Sequence, residues 1–175
     1  MKIAFELETM SPVRIAYVRK KGAYGPGNQQ AMQQLKDWAR NHHLLNEEAI
    51  ILGIPQDDPR ITPSEECRYD ACIVTDQKIG SEDPVREGAF EGGVYAVFCI
   101  PHTAEAVQTA WSAVFPALQK AGYRVDDKPA VERYKGILLQ NGWCELCVPI
   151  AAAQNREQFV EAASPAPAER TNITV

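Results

Sequence analysis

Gly93-Val94-Tyr95-Ala96-Val97-Phe98-Cys99-Ile100, followed at once by Pro101-His102-Thr103, is the stretch that decides the fold. A run this apolar suits a strand covered on both faces. Thr103 then offers a helix N-cap, with Glu105 in the first turn. Val107, Trp111, Val114 and Leu118 recur at helical spacing, so one face of that helix packs on a sheet. Pro116 sits inside the stripe and is expected to kink the helix or end it early. Gly122 supplies a stop. Two more strands follow, Ala130-Val131-Glu132-Arg133-Tyr134 and Trp143-Cys144-Glu145-Leu146-Cys147-Val148.

The upstream half repeats this order. Val13-Arg14-Ile15-Ala16-Tyr17-Val18-Arg19 reads as a strand and runs into the breaker Lys21-Gly22-Ala23-Tyr24-Gly25-Pro26-Gly27. Asn28 is the expected cap of a helix whose apolar face is Ala31, Leu35 and Trp38. Two strands, Ala49-Ile50-Ile51-Leu52-Gly53-Ile54 and Tyr69-Asp70-Ala71-Cys72-Ile73-Val74, complete the unit. Laid on the second half, Ala16 falls on Ala96, Gly53 on Glu132 and Asp70 on Glu145, and only the loop between the last two strands shrinks. A duplicated strand-helix-strand-strand unit therefore accounts for one domain over residues 1–150, with copies at about 1–80 and 81–150. Residues 151–175, with Ser164-Pro165-Ala166-Pro167-Ala168, read as a short helix or a flexible tail.

Composition excludes several function classes. The 175 residues are 45% apolar and 23% charged, with a net charge of −5. No Lys/Arg block exceeds Arg19-Lys20-Lys21, so direct nucleic-acid binding is not expected. Glu6 and Glu8 interrupt what would be the apolar core of an export signal, and no run is long and apolar enough for a membrane helix, so a cytoplasmic location is expected. Five cysteines in or beside apolar segments then read as reduced thiols. Cys144 and Cys147 form a C-x-x-C, but positions three apart on a strand face opposite sides, so no metal is expected, nor any cofactor.

Tyr17-Val18-Arg19…Gly22-Ala23-Tyr24-Gly25, then Trp38, then Gly53-Ile54-Pro55-Gln56-Asp57-Asp58-Pro59…Thr62-Pro63…Cys67-Arg68-Tyr69-Asp70-Ala71-Cys72 resembles the GyrI-like family of small-molecule-binding domains. Phe90-Glu91-Gly92-Gly93-Val94-Tyr95-Ala96-Val97-Phe98, Gly122-Tyr123 and Pro129-Ala130-Val131-Glu132-Arg133-Tyr134 continue the resemblance over roughly residues 10–150. It implies an α+β fold in which the two units form one antiparallel, groove-shaped sheet with two main helices, and a small organic ligand in the groove. Regulators of this family carry a helix-turn-helix region before the ligand domain. Here the first family-like strand starts by Val13, so the domain is expected to stand alone. Stand-alone relatives are linked to protection against gyrase poisons, which makes DNA gyrase a candidate protein partner, and others to hydrolysis of cyclopropane-bearing toxins.

Glu132 is the sharpest residue. Strand alternation puts Ala130, Glu132 and Tyr134 on one face, so the carboxylate sits beside an aromatic ring. If that face is the groove, the carboxylate can anchor a lipophilic cation, aided by cation-π attraction, or serve as general base for a water with Tyr134 as proton donor. A structural pairing with Arg133 or Arg124 is the alternative. Tyr95, Tyr134 and Trp143 are the aromatic candidates from strands of the second copy, with Trp111, Phe115, Tyr24 and Trp38 completing the ligand-binding set. Trp38 and Trp111 also suit core packing, because both lie on helical apolar stripes. Binding without catalysis is the favoured reading.

Overall fold

The computed structural model describes residues 3–81 and 84–151; the expected tail after residue 151 lies outside the described residues. The first copy comprises β1 (Glu6–Met10), β2 (Val13–Lys21), α1 (Pro26–Asn41), β3 (Ile50–Pro55) and β4 (Arg68–Val74). The second comprises β5 (Arg86–Phe90), β6 (Gly93–Pro101), α2 (Ala104–Lys120), β7 (Val131–Lys135), the single-turn α3 (Gly136–Leu139) and β8 (Trp143–Pro149). All eight strands form one antiparallel sheet in the order β1-β6-β8-β7-β3-β4-β2-β5. The duplication is thus visible as topology, since each half of the sheet has the same order about the central β3/β7 pair. In that pair Gly53 faces Glu132, the residue with which it aligns, so the local two-fold axis passes between them.

Two strands were not foreseen, and they exchange places. β1 precedes β2 yet pairs with β6, while β5 precedes β6 yet pairs with β2. Each copy therefore supplies the other's outer strand. The turn between β5 and β6 needs glycine at position 92, where φ is +74° and a Cβ would lie 2.2 Å from the Met10 carbonyl oxygen.

Each helix covers its own copy on one face of the sheet. Ala31, Leu35, Trp38 and Ala39 of α1 pack with Ala16, Ile51, Ala71 and Ile73, while Ala110, Val114 and Leu118 of α2 pack with Phe98, Leu146 and Val148. The opposite face carries a third cluster, including Ile15, Leu52, Ile54, Tyr95 and Val131, with no helix over it among the described residues. The sheet curls toward that face, bringing Glu8 of edge strand β1 to Arg133 of central β7 at 2.6 and 3.0 Å.

Two local expectations change. The cap of α1 is Gly25 rather than Asn28, because Pro26 takes the first helical position, where no N–H is needed; Asn28 instead accepts from Lys20 Nζ at 3.1 Å. Pro116 does not end α2, which runs on to Lys120. Pro116 and Ser112 are both exposed, so the Ser112 carbonyl that loses its helical donor faces water.

Candidate functional site

On the helix-bearing face, a cavity of about 910 Å³ opens between the copies. Its floor is Glu132 of β7 and Tyr69 of β4, and one wall is Trp111 and Phe115 of α2. The other side comes from Tyr24 in the loop before α1, the β3–β4 loop at residues 55–60 and the α2–β7 loop at 125–130. The lining holds five carboxylates, those of Asp57, Asp58, Asp126, Asp127 and Glu132, against the cations Arg60 and Lys128.

Glu132 is half-buried and held from two sides. Trp111 Nε1 donates to Oε1 at 2.8 Å, and the Tyr134 hydroxyl donates to Oε2 at 2.5 Å. Among the described residues no Lys, Arg or His forms an ion pair with it, so the pairing with Arg133 or Arg124 is absent. Arg133 lies on the other face, bonded to Glu8 and to Glu145 at 2.6 Å. Burial, and then the Glu132 charge, push the phenols of Tyr134 and Tyr69 well above their ordinary range. Both stay protonated and neutral beside the carboxylate, and Tyr134 is the one that donates to it.

Gly53 makes the room. A Cβ there would stand 2.5 Å from the Tyr69 hydroxyl oxygen and 3.4 Å from Glu132 Oε2. The missing side chain in the first copy is therefore the space into which the second copy's carboxylate and the Tyr69 ring project. The loop walls are braced: Asp57 is clamped by Arg68 through bonds of 2.8 and 2.9 Å, and the Tyr24 hydroxyl donates to the Arg68 carbonyl at 2.9 Å while accepting from the Asp57 N–H at 3.0 Å. Arg68 holds the Asp57 carboxyl below its usual range.

A model of the GyrI-like small molecule binding domain matches residues 4–151. The chain belongs to that family. Among its relatives is the SPbeta prophage-derived protein YosT of Bacillus subtilis (strain 168), 41% identical over 151 residues, covering 86% of this chain and 99% of that protein, whose name assigns it provisionally to transcriptional regulation. A DNA gyrase inhibitor of Pantoea sp. (strain At-9b) is 30% identical over 71% of this chain and 81% of its own length. The fold is shared with SAV2435, solved bound to tetraphenylphosphonium, at a TM-score of 0.56 and 15% identity, covering 89% of this chain and 99% of that one.

The GyrI-like chain brings together five of the residues singled out from its sequence: Glu132, Tyr134, Trp111, Phe115 and Tyr24 converge on the groove. Three lie elsewhere. Trp38 is buried beneath α1 and stacks on His42, with ring centroids 4.2 Å apart. Tyr95 is on the opposite face against Phe90. Trp143 starts β8 on that same opposite face and is 43% exposed. Sequence reasoning missed Tyr69, although alternation along Tyr69–Val74 already sets it on one face with Ala71 and Ile73. It also missed the acids of the loop at 125–130, which carry no periodic signal. Asp70 and Glu145, aligned between the copies, are buried and bonded to Arg19 and Arg133, so both serve the fold from the face away from the groove. Among the described residues no helix is long and apolar enough to cross a membrane, and no His/Cys/Asp/Glu group could hold a metal.

Proposed function

We propose that this chain binds a hydrophobic, cationic small molecule in the groove between its copies, with Glu132 as the polar anchor. One observation carries the reading: a half-buried carboxylate is set among Trp111, Tyr69 and Tyr134 with two neutral donors and no cationic partner among the described residues. A carboxylate in such surroundings gains strongly from a cation placed over it, and the rings of Trp111 and Phe115 add dispersion and cation-π attraction. The excess of acids in the lining draws cations toward the mouth. The tetraphenylphosphonium held by SAV2435 is a ligand of this chemistry and supports the reading.

Titration calorimetry with tetraphenylphosphonium tests it, with neutral triphenylphosphine oxide as control. The cation is expected to bind in preference to the neutral compound, and Glu132→Gln to weaken its binding roughly ten- to hundredfold, the value of a charge-assisted contact. Equal affinity for both compounds, unchanged by Glu132→Gln, overturns the proposal.

A second reading rests on the 2.5 Å contact between Glu132 and a Tyr134 phenol that remains protonated. This is a general base beside a general acid, suited to adding water to a strained, electrophilic substrate. Turnover of a cyclopropane-bearing substrate by the parent chain, abolished in Glu132→Gln while binding persists, would favour it over binding alone.

A further inference from the structure

A second cavity of about 420 Å³ lies on the opposite face of the sheet, where no helix of the described residues covers the third apolar cluster. Ile15, Ile54 and Val131 form its floor. The end of β5 and the turn after it, residues 88–92, close one side, and Lys128-Pro129 the other. Tyr17 and Tyr95 also line it, Tyr17 with the Arg19 guanidinium 5.5 Å from its ring centroid and Tyr95 against Phe90 at 5.8 Å, so the lining is apolar and aromatic and suits a small ring system.

Most of the polar side chains around it that are left free are donors. Asp70 is saturated: Arg19 Nε meets Oδ1 at 2.7 Å, while Arg19 Nη2 and Gln56 Nε2 meet Oδ2 at 2.8 and 2.9 Å. That leaves Arg19 Nη1 without a partner among the described residues. Lys128 Nζ stands at the mouth, held among the described residues by the Gly92 carbonyl at 3.4 Å and by Asp126 at 3.8 Å. The hydroxyls of Tyr17 and Tyr95 have no hydrogen-bond partner among the described residues either. Burial pushes the Tyr95 phenol up to about 12, so it stays a donor at neutral pH. Of the lining acids only Glu91 is left, and it is exposed on the turn.

We infer that this cavity is a second small-molecule site, for a flat aromatic carboxylate whose ring lies on the floor of Ile15, Ile54 and Val131 beside Tyr17 and Tyr95 and whose anionic end meets Lys128 and Arg19. It is opposite in preference to the groove, whose lining is rich in acids. The two cavities share Gln56, Lys128 and Pro129 in their linings.

Amide-resolved NMR titration with 2-naphthoate tests this, with 2-naphthamide as the uncharged control. The expected result is saturable binding of the carboxylate, with the largest shifts at Tyr17, Gly88, Gly92 and Tyr95, and binding at least about tenfold weaker for the amide and in Lys128→Met. Lys128 is a surface side chain, so Lys128→Met keeps the fold, and its thermal melt checks that. Glu132→Gln should leave naphthoate binding in place, which separates this site from the groove whatever the fate of the groove ligand. Absence of saturable binding, equal binding of the amide, or shifts centred on Trp111 and Glu132 overturns the inference.

Discussion

At the scale of the residue, Gly53 and Glu132 are one feature seen from two strands. The β3/β7 register sets them face to face, and the Tyr69 hydroxyl fills the space that a side chain at 53 would take. Gly53→Ala must therefore displace a buried ring. It is expected to cost about 1–3 kcal/mol in urea unfolding, the usual penalty of overpacking, and to weaken groove binding through the shifted carboxylate. Gly53→Ala combined with Tyr69→Phe should recover part of that loss, since the closest contact is with the hydroxyl. Strand alternation alone was enough to place Glu132 beside Tyr134. What it could not supply was the partner across the sheet, because Trp111 reaches Glu132 from α2, 21 positions away, and helical periodicity marks an apolar residue without saying whether it faces the core or a cavity. The face that Tyr95 takes was illegible for a related reason: a strand apolar on both sides does not say which face is the groove.

At the scale of the element, β1 and β5 were illegible because neither carries an apolar run. Glu6–Met10 and Arg86–Phe90 are half-exposed edge strands whose stability comes from pairing with the other copy, which local pattern does not record. β1 is tied down by charge as well as by its ladder. Arg133, 5% exposed, holds Glu8 on one side and Glu145 on the other. The Arg133 hydrogen bond keeps the Glu8 carboxyl below its ordinary value of 4.5, so the folded chain binds that proton more weakly than the unfolded chain. This contribution is complete above about pH 4.5 and fades as pH falls through the lower folded-state value. Hydrogen exchange of β1 amides, corrected for intrinsic rates, should accordingly rise in acid before that of β3 and β4. Glu8→Gln should reproduce the faster exchange at neutral pH.

At the scale of the whole molecule, the order of elements and their repetition were legible because strand runs, breakers and caps recur in the same sequence. The exchange of edges was not, since pairing between distant segments leaves no local trace. That exchange makes each copy incomplete alone, as its own outermost strand sits on the other. Fragments produced by cutting the chain between residues 81 and 84 are each expected to lack a cooperative thermal transition and to regain one on mixing, followed by circular dichroism. The facing pair at the centre carries a different consequence. Two identical half-chains meeting on that axis would set like against like, either two glutamates with their charges in contact or two glycines with no charge at all. Covalent linkage frees the copies from sameness, and a lone carboxylate can stand at a position where a symmetric assembly must hold two or none.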